Sequence, residues 1–285
     1  MLDNFTSDQL QSLLEHNLSV ETWDWYKQKL TSIIENSSDR ELYVAYSLCA
    51  SKIDRASISY TGATEVNLKE YLEVQNADLL ELSRINLLVK VLEGNASFFK
   101  DKVGKLMEIA DSKELETFLK YLVFLPNASD YQYNAVEALR TNISTVFDAI
   151  TLNNPYPSMY FNEQQWNQMY LKAAFMERDL GCILDVDKRA NKELARIISD
   201  YAHERWAASR TIDPEIWRPV SSFLGDGLME DMNHLFQSKN PLEQRAAALC
   251  CYNSNYELAA QALNKHPELK SQIESSRLTW DNFKN

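Results

Sequence analysis

The chain has 285 residues, 45% hydrophobic and 25% charged, and carries a formal net charge of −12. That length buries one large core or two modest ones. The acidic balance argues against a general nucleic-acid binder, which needs cations to displace counterions, and against attraction to anionic lipid surfaces.

With only 6 glycines, the chain has few residues suited to the positive-φ turns of β-hairpins, so it leans helical. Cys49, Cys182, Cys250 and Cys251 lack any CxxC spacing and read as reduced, mostly buried thiols. The first residues, MLDNFTSDQLQSLLEHN, have neither the cationic start nor the unbroken apolar stretch of a signal peptide. No segment approaches the roughly 18 apolar residues of a membrane span. The expectation is a cytoplasmic protein without membrane insertion.

In chain order, Ser38-Asp39-Arg40-Glu41 predicts a capping box before LYVAYSLCA. SISYTGATEVNL (57–68) is the only strand-like material and reads as a loop excursion and a soft boundary between the first helices and the rest. Leu79, Leu82, Ile85 and Val89 then share one helical face. Asp111-Ser112-Lys113-Glu114 predicts a second capping box, ahead of the face formed by Leu115, Phe118, Leu119 and Leu122. Asp213-Pro214, Asn240-Pro241 and His266-Pro267 each place a proline at the first helical position. The pattern gives about a dozen to fifteen short helices with brief connections. Such a succession predicts an all-α fold, an irregular α-solenoid or HEAT-like stack of short antiparallel helices spanning 1–285 as one domain. No fixed period is present, and an irregular all-α bundle is the alternative.

Residues 154–219 concentrate aromatic, cationic and acidic side chains. Asn154-Pro155-Tyr156-Pro157 reads as a rigid, extended entry. Asn162 and Gln165 cap a helix on which Trp166, Met169, Tyr170 and Ala173 share one face, while Leu171 and Phe175 make the other side apolar too. A helix apolar nearly all round is expected in the interior. Asn167 and Lys172 on it then need partners, and Lys172 is a candidate to face a cavity.

A second helix is expected from about Lys188 to Arg210. On its wheel Arg205 falls among Leu194, Ile197, Ile198 and Tyr201. A guanidinium there must snorkel or meet a carboxylate, with Asp179, Asp185 and Asp187 as candidates. A core bridge locking two helices and an anion receptor in a pocket are the two readings of Arg205. His203 stands one turn from Asp200 and adjoins Glu204, an arrangement open to acid–base use. The bland alternative is a surface ladder of Arg196, Asp200 and Glu204. A second histidine for a zinc helix is missing, Ala207 standing in its place, so no metal is expected. Glycine-rich phosphate loops and the Gly-x-Ser-x-Gly elbow are absent, and no cofactor is expected.

The run WNQMYLKAAFMERDLGCILDVDKRANKELARIISDYAHERWAASRTIDPEIWRPV resembles the core of the EboA family. The resemblance rests on Trp166 to Met169 with Lys172, on Asp187 with Arg189 to Asn191, on Tyr201 to Arg210, and on Trp217. It implies a bacterial protein encoded beside other Ebo proteins, in an operon tied to trafficking or export of small secondary metabolites. Neighbours there resemble a TatD-like hydrolase, a UbiA-type prenyltransferase and sugar-isomerase-like proteins. No reaction follows from it.

The leading expectation is therefore a non-enzymatic scaffold or binding protein whose partners are other Ebo-operon proteins or a small anionic, amphipathic metabolite. Its groove would be lined by Trp166, Asn167, Lys172, Asp187, Arg189, Asp200, Tyr201, His203, Arg205 and Trp206. The alternatives are an enzyme using His203 with Asp200 or Glu204, and a pure assembly adaptor with a broad groove.

Overall fold

A computed structural model describes residues 7–61 and 64–284. Among the described residues every regular element is helical, and the one β-contact is an isolated bridge between Ser57 and Asp78. The chain divides into two compact units, 1–156 and 157–285. That division falls within Asn154-Pro155-Tyr156-Pro157, not at the 57–68 segment where the composition marked a soft boundary. The part of 57–68 that is described is a loop until α4 begins at Val66.

In the first unit α1 (Ser7–Asn17), α2 (Val20–Asn36) and α3 (Asp39–Lys52) precede α4 (Val66–Val74) and the long α5 (Leu79–Ile109). Then come α6 (Ser112–Tyr121), α7 (Gln132–Ala138) and α8 (Ser144–Thr151). Helices α1, α2, α3 and α6 all pack on α5, whose Leu82, Ile85, Leu88 and Val91 are sealed from solvent. Those four residues step at three-residue intervals, so one stripe serves several neighbours. Helix α5 runs well past the Leu79 to Val89 face read from the sequence because it bends instead of ending. Asn95 leaves helical geometry (φ −156°, ψ 75°), and at the adjacent Gly94 a Cβ would sit 2.9 Å from Ile34. A glycine lets α2 approach the bend closely.

The predicted capping box at Asp111 and Glu114 forms in full. At Ser38 only half of it forms. The Ser38 hydroxyl accepts from the Glu41 amide, but the Glu41 carboxylate takes a hydrogen bond from Ser32 at 2.7 Å instead.

The second unit contains α9 (Tyr156–Tyr160), α10 (Glu163–Phe175), α11 (Val186–Arg189) and α12 (Lys192–Ala207). A ten-residue 3-10 segment (Pro214–Phe223) follows, then α13 (Asp226–Phe236), α14 (Pro241–Tyr252), α15 (Glu257–Leu263) and α16 (Pro267–Glu274). Helix α14 is the hub, packing on the 3-10 segment, α13, α15 and α16. Its buried Ala246, Ala247 and Ala248 keep the neighbouring backbones close. Burial pushes the Cys49 and Cys251 thiols up to about 12, and Cys250 higher still, so these are packing residues and not nucleophiles.

Candidate functional site

The helix expected from Lys188 to Arg210 is two helices broken at Ala190-Asn191, and the break serves a purpose. Asn191 caps α12 by accepting from the Leu194 amide at 2.8 Å. Its side-chain amide also exchanges hydrogen bonds with that of Asn167 on α10, at 3.1 and 2.8 Å. Just before it, Arg189 donates to the carbonyls of Pro157, Ser158 and Phe161 at 3.3, 2.6 and 2.8 Å. Those carbonyls lie in and just past α9, where helical partners run out. The guanidinium carbon sits 5.0 Å from the centre of the buried Trp166 ring, a cation–π arrangement. Burial lowers the Arg189 pKa, against the opposing charges of Glu163 and Asp185. Trp166, Asn167, Arg189 and Asn191 thus form a polar clasp joining α9, α10 and α12, in which Arg189 and the two asparagines are paired and only the Trp166 indole N–H is left without a partner among the described residues.

The opposite side of α10 is open, contrary to the expectation of a helix buried all round. Phe175 is 70% exposed and Leu171 half-buried, because no element of this unit covers that face. Together with Lys172, and with Tyr201, Arg205 and Arg210 from α12 and its exit, they line an open groove of about 680 Å³. Gln168, Glu204 and Ala208 complete its wall. Burial lowers the Lys172 pKa, so its ammonium is already partly stripped of water.

Arg205 does not bridge a carboxylate of the upstream loop. Past Ala207 the chain turns back through Ser209, in the left-handed region at φ 54°. That turn brings the Thr211 carbonyl under Arg205, which donates to it at 3.1 and 2.7 Å. Its guanidinium lies 6.0 Å from the Tyr201 ring, at the rim of the groove. The candidate acids are engaged elsewhere: Asp187 by Arg218, Asp185 by Ser158, and Asp179 by Lys284.

A third face of α12 meets α13. The Nε2–H of His203 donates to Oδ1 of Asp231 at 2.6 Å, and the Ser199 hydroxyl donates to Oδ2 at 2.6 Å. Asp231 is 1% exposed, while His203 is largely in solvent. Asp200 turns away to Arg196 and Glu204 faces the groove, so neither is the partner of His203 that the sequence suggested. A buried carboxylate that orients an exposed imidazole suits proton transfer at Nδ1. Serine and histidine occupy different oxygens of one carboxylate, so the imidazole does not activate Ser199. Beside them, Trp206 lies 4.1 Å from the His234 ring and 6.0 Å from that of Trp217.

Asp187 belongs to yet another place. Arg218 holds it with three hydrogen bonds of 3.1, 3.1 and 2.7 Å, on the wall of a separate cavity of about 560 Å³. Burial opposes the charge on Arg218, but Asp187 and Asp281 outweigh it and raise the pKa. Nearby, Lys284 gathers Asp179, Asp213 and Glu215 at 2.9, 3.1 and 2.7 Å. Glu215 is almost wholly buried, and burial holds its pKa above the ordinary value despite the lysine. Gly181 makes room for it, since a Cβ there would lie 2.8 Å from the Glu215 carboxylate.

The ten residues singled out from sequence therefore line no single groove. Lys172, Tyr201 and Arg205 come together there, while Trp166, Asn167 and Arg189 form the clasp. His203 and Trp206 face α13, Asp187 faces the other cavity, and Asp200 is a surface partner of Arg196. Sequence reasoning missed Asp231, whose signal was an acid among Met229, Met232 and Leu235 on one short helix. It also missed Phe175 as a groove residue, because a wheel cannot tell which apolar face has a neighbour. Among the described residues no three or more His, Cys, Asp or Glu side chains are placed to hold a metal ion, and no helix is long and apolar enough to cross a membrane.

Comparison with known proteins adds a family. No curated protein and no solved structure matches the chain. The sequence model described as "Metabolite traffic protein EboA" matches residues 6–221. The match takes in the helices of the first unit as well as the 166–217 run, and so reaches far beyond the signature that suggested it. The chain belongs to the EboA family.

Proposed function

We propose that this chain acts in metabolite traffic as a non-enzymatic binding protein, holding an amphipathic, anionic small molecule in the groove between α10 and α12. The observation that carries the reading is the exposed Phe175 and the half-buried Leu171 set beside Lys172, Arg205 and Arg210. An apolar body covers the ring and the leucine, and an anionic end meets cations, one of them already partly dehydrated. The family description, a metabolite traffic protein, supports the same role. A stack of antiparallel helix pairs in the manner of an irregular solenoid, an intracellular location and service to other Ebo proteins belong to this proposal.

Anilinonaphthalene sulfonate, an anion with an apolar body, is the direct probe. Saturable fluorescence enhancement is expected, weakened at least about tenfold in Lys172→Met and in Phe175→Ser. Native mass spectrometry of protein from its own host is expected to retain a small molecule that Phe175→Ser loses. Equal dye binding by wild type and both variants, with no retained molecule, overturns the reading.

The His203–Asp231 contact favours a second reading, an enzyme with His203 as its acid–base group. It requires a host metabolite that wild-type protein consumes and His203→Gln does not, and a host extract left unchanged by wild type rejects it.

A further inference from the structure

The cavity of about 560 Å³ walled by Asp187 and Arg218 lies apart from the groove, on the other side of the second unit's chain order. One wall is the 3-10 segment, with Arg218, Ser221 and Ser222. The facing wall comes from the end of α14 and the segment after α16, with Tyr252, Asn253, Trp280 and Asp281.

Three features of the lining define what fits. Its ionic groups are three carboxylates, Asp187, Glu274 and Asp281, against the single guanidinium of Arg218. That balance repels phosphates and carboxylates. Arg218 is itself tied down, bonded three times to Asp187 and lying 3.4 Å from Asp281, so it is not a receptor for an incoming anion. Asp187 and Asp281 remain 61% and 87% exposed, so each presents further acceptor lone pairs to donors entering the cavity. Apolar surface is also present in Leu249, Ile273 and Leu278, with the partly exposed Tyr252 ring beside them.

A second observation concerns Trp280. It lines the cavity, is 8% exposed, and its indole N–H has no hydrogen-bond partner among the described residues. Trp166 and Trp217 also carry such N–H groups, but neither lines this cavity. Nε1 itself is sealed from solvent, so Trp280 serves as a reporter beside the cavity and not as a donor to what binds there.

Carboxylates that accept from hydroxyls, small polar side chains, aromatic and aliphatic surface, and an excess of negative charge describe a receptor for an uncharged polyhydroxylated ring. From these features we propose that this cavity binds a sugar or cyclitol ring, its hydroxyl edge on Asp187 and Asp281 and its apolar face against the aromatic side. Residues 249–281 lie beyond the part matched to the family, so most of this receptor is built from sequence outside that match.

The test is indole N–H NMR of the full chain, with the Trp280 resonance assigned through Trp280→Phe, titrated with methyl glucoside, methyl galactoside and myo-inositol. Saturable movement of the Trp280 signal by at least one ring is expected, with affinity reduced at least about tenfold in both Tyr252→Ala and Asp281→Asn. Both positions are exposed, so these variants keep the fold. Lys172→Met, which weakens the groove, is expected to leave ring binding unchanged, so the two sites fail independently. Glucose 6-phosphate is expected to bind more weakly than methyl glucoside. Three results overturn the assignment: no movement with any ring, movement unaffected by both variants, or tighter binding of the phosphorylated sugar.

Discussion

Helices α10 and α12 present two faces built from the same kinds of residue, and the faces behave oppositely. On one, Asn167 and Arg189 find their partners inside the protein: three carbonyls, the Trp166 ring and an amide pair. On the other, Leu171, Phe175 and Arg210 stand along an open groove. Aromatic plus cation is thus a composition and not a function. What separates a clasp from a receptor is whether the protein itself supplies the complement.

The comparison breaks most directly at Arg189. Arg189→Leu removes the donor to three carbonyls and the cation over Trp166, and is expected to destabilise the protein by about 3 kcal/mol in urea unfolding. A loss below about 0.5 kcal/mol would place Arg189 with the groove residues instead.

Asp231→Ala comes next. It strips His203 and Ser199 of their acceptor and leaves a void in an apolar setting, for an expected loss of about 2 kcal/mol by the same measurement.

Lys284→Met sharpens the contrast through pH. Burial raises the Glu215 pKa in the fold, so Glu215 favours the folded state below its unfolded value and opposes it as pH rises through the folded value. Lys284 restrains that rise, and its hydrogen bond also lowers the Asp179 pKa, a contribution present above the unfolded aspartate value and lost in acid. Both effects of removing the lysine therefore grow with pH. Because Lys284 is 40% exposed, solvent screening keeps the deficit modest. A loss of about 1 kcal/mol is expected near pH 8, shrinking as pH falls and Glu215 and then Asp179 become protonated. A deficit larger in acid than at neutral pH would reverse the assignment of Glu215.

The smallest stability effect belongs to the groove. Phe175→Ser is expected to move unfolding by no more than about 0.5 kcal/mol while removing dye binding. A loss of several kcal/mol would mean that Phe175 is core.

These contrasts also mark what sequence could resolve. The caps at Asn162, Asp111 and Asn240 were legible because a cap is a contact across three residues, within reach of local spacing. The all-helical character was legible for the same reason. Arg205 was misjudged because its partner depends on a left-handed residue, Ser209, that redirects the chain toward Thr211. A serine in that conformation carries no strong sequence signal, unlike a glycine. One of the three acids offered as partners of Arg205, Asp187, is taken by Arg218, 31 positions away. Asp231 escaped notice because its partners sit 28 and 32 positions back on another helix. Side chains matched over such distances are decided by packing, which one helix at a time does not reveal.

The pair Trp206 and Trp217 has a consequence for observing all this. Their rings lie 6.0 Å apart and within 21° of parallel, both inside the second unit. At that separation each indole is part of the other's fixed surroundings, and the tryptophan band in near-ultraviolet circular dichroism depends on such surroundings. Trp206 sits on α12 and Trp217 on the 3-10 segment, so the band reports their docking rather than helix content. It offers an optical signature of the second unit that can be followed while ligands are titrated into either of its cavities.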